Sequence, residues 1–147
     1  MLILITSICS IIIATLSFAL GVFIFFSNQR QKRIDNLITL HLFLHKDELS
    51  EARRCVRESD ASLTLEDQNV RRVCSSFDFA GTLVRHGAVN KELFLDYWCA
   101  PILAIEASLA EIANKQTGKA LKVKDYYKDF WWLIDDAKSQ KRIERSQ

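Results

Sequence analysis

No charged side chain occurs between Leu2 and Phe26, a run of 25 residues. At about 1.5 Å of rise per residue such a helix is roughly 37 Å long, enough to cross a ~30 Å hydrocarbon core with some tilt. The run is too long for a cleavable signal peptide and lacks a basic start. A soluble helix is rarely apolar on all sides over such a length. The pattern therefore predicts an all-α fold: one N-terminal transmembrane helix followed by a small antiparallel helical bundle. The expected division is a membrane anchor over 1–27, a helical domain over 28–140 and a basic tail over 141–147.

Beyond Phe26 the apolar positions recur with helical spacing, and no period-two alternation bounded by turn signals is visible. The first helix is expected to continue the span to about His45, with Ile34, Leu37, Ile38, Leu40 and Leu44 on one side. Asp47 is placed to cap a second helix ending near Glu58, with Glu48 and Glu51 in its first turn. Residues 59–62 are a polar connection. Thr64 and Asp67 resemble a capping box ahead of a third helix with Val70, Val73, Phe77, Ala80 and Val84 on one stripe. His86-Gly87 should end it, glycine supplying the left-handed residue past the last turn.

Asn90 is placed to cap a fourth helix, so the third and fourth should form an antiparallel hairpin. The fourth carries Phe94, Tyr97, Trp98, Ile105, Leu109 and Ile112 on a broad face. Pro101 sits inside it and should bend it, lacking an N–H and crowding the preceding turn. A loop over 114–118 precedes a fifth helix from about Val123 to Lys138, after which the basic tail should fray.

All 38 charged residues, 20 basic and 18 acidic, lie from Arg30 onward. The net charge of +2 gives no nucleic-acid footprint. Positive charge flanks only the C-terminal side of the span, at Arg30, Lys32, Arg33 and Lys46. That predicts an inner (cytoplasmic) membrane protein with its N-terminus outside and its domain in the cytoplasm. None of the four cysteines forms a C-x-x-C pair. Cys55, Cys74 and Cys99 are expected to be reduced helix residues.

Candidate chemistry is sparse. His41 and His45 are four apart on one helix face. They suit a packed or hydrogen-bonded pair, a pH-sensitive contact near the membrane, or two ligands of a metal site that lacks further ligands at helical spacing. Ser10, Ser17 and Gly21 lie near one stripe of the span, a surface on which helices approach closely. The segment Tyr126–Trp132 is the densest aromatic stretch. Trp131 flanks its packing stripe and Trp132 projects away from it, so both are candidate partner contacts. Asp135-Asp136, Asp125-Asp129 and Glu106-Glu111 have no nucleophile or desolvating neighbour in sequence, and no phosphate-loop, G-x-S-x-G or H-E-x-x-H motif is present. No catalytic residue, metal or cofactor is expected, nor a small-molecule substrate.

One resemblance extends this reading. Leu83-Val84-Arg85-His86-Gly87-Ala88-Val89, Glu92-Leu93, Asp96-Tyr97-Trp98 and Pro101-Ile102-Leu103 occur in order. With Leu40–Phe43, Ala52–Arg54 and the Tyr127–Leu133 aromatics, they resemble a bacterial domain family of unknown function. Its members are short helical proteins, often with an N-terminal membrane span. The similarity covers roughly Ile34 to Ala137 and implies no activity. The expectation is a membrane-tethered helical interaction or regulatory module. Its partners would be membrane lipids and either a second protein or a further copy of itself. The alternative is a self-associating structural membrane component.

Overall fold

The computed structural model describes residues 2–58, 63–115 and 126–146. They form five helices and no strand: α1 (Leu2–Leu44), α2 (Asp47–Glu58), α3 (Gln68–Arg85), α4 (Lys91–Lys115) and α5 (Lys128–Ser146).

The ends of these helices follow from local chemistry. Asp67 is the residue that caps α3, its side chain accepting the N–H of Asn69 at 2.7 Å. Thr64, expected to be the capping hydroxyl, instead offers its carbonyl to the Asp67 N–H at 3.0 Å. At the other end Gly87 adopts φ +70°, which only glycine takes without strain. The N–H groups of Gly87 and Ala88 then satisfy the carbonyls of Val84 and Leu83. Asn90 caps α4 as anticipated, its Oδ1 accepting the Leu93 N–H at 3.0 Å. Asp47 lies inside the first turn of α2, where its charge meets the positive helix end.

Three contacts along α1 set the directions of its neighbours. Asn36 Nδ2 donates to the Ala88 carbonyl at 2.9 Å. Phe43 meets Phe79 edge to face at 5.9 Å, and His45 lies 5.2 Å from Trp98, ring centre to ring centre. Moving down α1 from 36 to 45, α3 is met in descending order and α4 in ascending order. So α3 runs against α1 and α4 runs with it. The two are joined by a short turn but touch only slightly. α5 lies against both, and α2 packs on α3 and α4.

One apolar core results, built from Leu40 and Leu44 of α1, Val56 of α2, Phe77 of α3, Phe94, Trp98 and Ile102 of α4, and Phe130, Leu133 and Ile134 of α5, among others. Among the described residues one helix is long and apolar enough to cross a membrane on length and composition alone, at Lys91–Asn114. This is α4, whose Phe94, Trp98, Ile102, Ile105, Leu109 and Ile112 are buried in that core, whereas Tyr97, expected on the same face, is 67% exposed. It runs without a break through Pro101, which leaves the Tyr97 carbonyl without its usual helical donor.

α1 is different. Every residue from Ile13 to Phe26 is exposed, including Phe18 at 75% and Phe23 at 73%. The buried residues of α1 are Leu37, Leu40 and Leu44, near its C-terminal end. Ile38, expected on the buried side, is exposed, because it lies a turn's fraction away from the Leu37–Leu40–Leu44 ridge. α5 also departs from expectation, since the helix continues through the basic tail to Ser146. Its expected start near Val123 lies outside the described residues.

Candidate functional site

Trp98 is the hub of the joint between α1 and the rest of the domain. It is buried on α4, 3% exposed, and five side chains surround its indole. His41 and His45 lie at 5.7 and 5.2 Å, and Phe77 and Phe94 at 5.8 and 6.4 Å. The Arg53 guanidinium carbon lies 5.2 Å from the ring. The two imidazoles are 4.4 Å apart, and His41 also meets Tyr97 edge to face at 5.8 Å.

Arg53 is the buried cation of this joint, 8% exposed. It donates to the Leu44 carbonyl at 2.5 Å, closing an otherwise open carbonyl at the end of α1, and to Ser50 Oγ at 3.0 Å. A carbonyl, a hydroxyl and an aromatic face thus hold a charge in a low-dielectric site. Burial first, and then Arg57, lowers its pKa from the ordinary arginine value. His45 is likewise shifted down, by burial first, then by His41 and Arg53.

The histidine pair is therefore not a closed core pair. His41 is half-buried, His45 is exposed, and their partners are aromatic rings. Among the described residues no group of three or more His, Cys, Asp or Glu is placed to hold a metal ion.

A second constellation joins α3 to α5. Asp78, Gly81, Thr82 and Arg85 share one face of α3. Asp78 Oδ1 accepts the N–H groups of Asp129 and Phe130, at 3.0 and 3.1 Å. Thr82 Oγ1 lies 2.7 Å from Asp129 Oδ2, and Arg85 donates to Asp129 Oδ1 at 2.8 Å. Those two hydrogen bonds, Thr82 first, hold the Asp129 carboxyl below its usual pKa. Gly81 lets the backbones meet: a Cβ there would fall 2.4 Å from the Asp129 carbonyl oxygen. This is a clasp in which both acids, Asp78 and Asp129, are partnered across the α3–α5 interface.

The aromatic segment is mostly structural. Phe130 is fully buried and stacks on Phe77 at 5.6 Å. Trp131 and Trp132 are half-buried and packed against the core. Trp132 thus does not project free as its helical phase suggests, because Lys91 of α4 lies over its ring at 5.9 Å and pairs with Asp136 at 3.1 Å. Tyr126 is the exposed aromatic of this stretch, at 79%. Of the expected span-packing residues, Ser17 and Gly21 are exposed and nothing lies within 4 Å of a Cβ built on Gly21. The side chain of Ser10 lies outside the described residues.

Sequence reasoning missed Arg53 and Asp78. Arg53 follows Ala52 on the buried side of α2, and its nearness to the two histidines depends on how α1 and α2 fold back. Asp78 stands between Phe77 and Ala80 on α3, and a polar residue beside core positions was the available signal.

With this geometry in place, the comparisons with known proteins fix the family. Residues 11–137 match a domain of unknown function, DUF4760. The chain belongs to that family. The match begins at Ile11, within the uncharged N-terminal run, so the DUF4760 region takes in much of the exposed part of α1 as well as the whole core. No curated protein and no solved structure matches the chain.

Proposed function

We propose that this DUF4760 protein is a membrane-tethered helical interaction or regulatory module. The uncharged half of α1 lies in lipid and the remaining helices fold in water on the cytoplasmic side. The observation that carries this reading is the uninterrupted exposure of Ile13–Phe26. Fourteen successive exposed and uncharged residues on one helix present far more apolar surface than a water-soluble monomer leaves bare. With Leu2–Ile12 they reach the length a bilayer requires. The exposed Arg30, Lys32 and Arg33 follow at once, which supports the inward orientation of the domain. Confinement to a membrane would raise the effective concentration of the domain toward a partner held there.

Membrane fractionation tests the first part. The full chain should stay in the pellet through alkaline carbonate washing and leave it with detergent. Recovery in the soluble fraction without detergent would refute the proposal. For orientation, a C-terminal reporter active only in the cytoplasm should work, and one active only outside should not.

A second reading, self-association, draws on the phase of α1. Ser17 and Leu42 are about seven helical turns apart and nearly in register, on the side opposite Leu40 and Leu44. Ser17, Gly21 and the exposed Ile38 and Leu42 thus share the face turned away from the core. Crosslinking in membranes separates the two readings. A self-ladder abolished by Gly21→Ile favours the second, and a distinct heterologous adduct that survives that change favours the first.

A further inference from the structure

The Trp98 joint gathers three nitrogen bases or cations and no acid. His41 comes from α1, His45 from the residue just past its end and Arg53 from α2, and all three border one indole of α4. The groups acting on the charge of His45 are His41 and Arg53, with no carboxylate among them. Asp47, two residues past His45 in the first turn of α2, is not among the groups that shift His45. Lys46, just past α1, lies over Phe43 at 5.8 Å and is a cation. Arg57 of α2 bears on Arg53 and is also a cation. Tyr97 of α4 meets His41 edge to face at 5.8 Å. On the acidic side, Glu48 faces Arg72 at 3.8 Å, and Asp96 accepts from Gln140 at 3.1 Å.

We infer that this joint is a pH-responsive coupling: positive charge gained at His45, beside His41 and Arg53, loosens the hold of α2 and α4 on the end of α1. The two imidazoles lie against each other and against Trp98. A proton gained by His45 on acidification places positive charge 4.4 Å from the His41 ring and beside the indole that the buried guanidinium covers, where like charges repel. The Arg53 bond to the Leu44 carbonyl is the contact most exposed to this repulsion, because it ties α2 to the last turn of α1. Histidine is the side chain whose ordinary pKa puts this change near physiological pH. The inference concerns the joint between α1 and the core, and it holds whether or not α1 enters lipid.

The test is thermal melting of the full chain in a mild non-ionic detergent at pH 7.5 and pH 5.5. The wild type should melt several degrees lower at pH 5.5. His41→Gln/His45→Gln should lose at least half of that difference, with the exposed His86 left in place as an internal control. An equal pH dependence in the double variant, or none in the wild type, overturns the inference. Should the double variant fail to fold, ring-proton NMR of the wild type decides. The His45 midpoint is expected below 6.5, with the Trp98 indole signal moving at the same midpoint. A midpoint at or above 6.5, or an unmoving indole, overturns it.

Discussion

Asp78 caps a helix to which it does not belong: its Oδ1 accepts the N–H groups of Asp129 and Phe130 at the start of α5, from across the α3–α5 interface. A helix start leaves its first N–H groups unpaired, and a carboxylate there meets both the donors and the positive end of the dipole. Asp78→Ala should therefore destabilise the fold by about 1–2 kcal/mol. Asp78→Asn keeps an acceptor oxygen without the charge and should lose less. Thermal or denaturant melting of the full chain in detergent ranks the two.

Two glycines on exposed and buried helix faces make a matched pair. A Cβ at Gly81 would overlap the Asp129 carbonyl, whereas at Gly21 it would meet nothing within 4 Å. Gly81→Ala should cost about 1–3 kcal/mol by forcing α3 and α5 apart. Gly21→Ala should leave the melting midpoint unchanged or slightly raised, since alanine favours a helix by about 1 kcal/mol over glycine. Equal effects at the two positions would contradict the close approach.

The Asp129 carboxyl is held below its usual pKa by Thr82 and Arg85. Its contribution to stability is therefore complete above the unfolded value of about 3.9 and is lost as pH falls through the lower folded value. Thr82→Val should raise the Asp129 midpoint toward the ordinary carboxylate value and make the protein more sensitive below pH 4. Carboxyl carbon NMR of Asp129 measures this directly.

Cysteine reactivity reports on the core. Burial, assisted by Asp78, pushes the Cys74 thiol up to about 12, and the side chain has no exposed surface. At pH 8 Cys74 should resist a maleimide while the fold holds, and it should react once denaturant exposes it. Half-buried Cys55 should label in the native state. Mass mapping of labelled peptides distinguishes the sites.

Trp98 and Trp132 should respond unequally to truncation. Trp98→Ala removes the hub of the α1 joint and should cost about 3–5 kcal/mol. Trp132→Ala removes a half-buried ring covered by Lys91 and should cost roughly 1–2 kcal/mol, leaving a folded protein. Circular dichroism melting in detergent checks both.

Much of the architecture was legible because it rests on local rules. Asn90 and Gly87 mark the turn between α3 and α4 through side-chain capping and left-handed backbone, both short-range effects. Val70, Val73, Phe77, Ala80 and Val84 are all buried as their spacing requires. What depends on the meeting of distant segments was not legible. The Asp78–Asp129 clasp spans 51 residues, and the limited contact between α3 and α4 depends on α5 lying against both. Trp132 shows the same limit: its phase on α5 points outward, yet Lys91 of another helix covers it. At the candidate site, the His41–His45 spacing was readable, but Arg53 and Trp98 as their neighbours were not.

The unbroken course of α1 from Leu2 to Leu44 has a mechanical consequence. A flexible leash would let the core swivel independently of whatever grips the first turns. α1 acts instead as a drive shaft. Because the helix is continuous, the orientation of its Phe18 end and that of the Leu40–Leu44 ridge are tied together through one backbone.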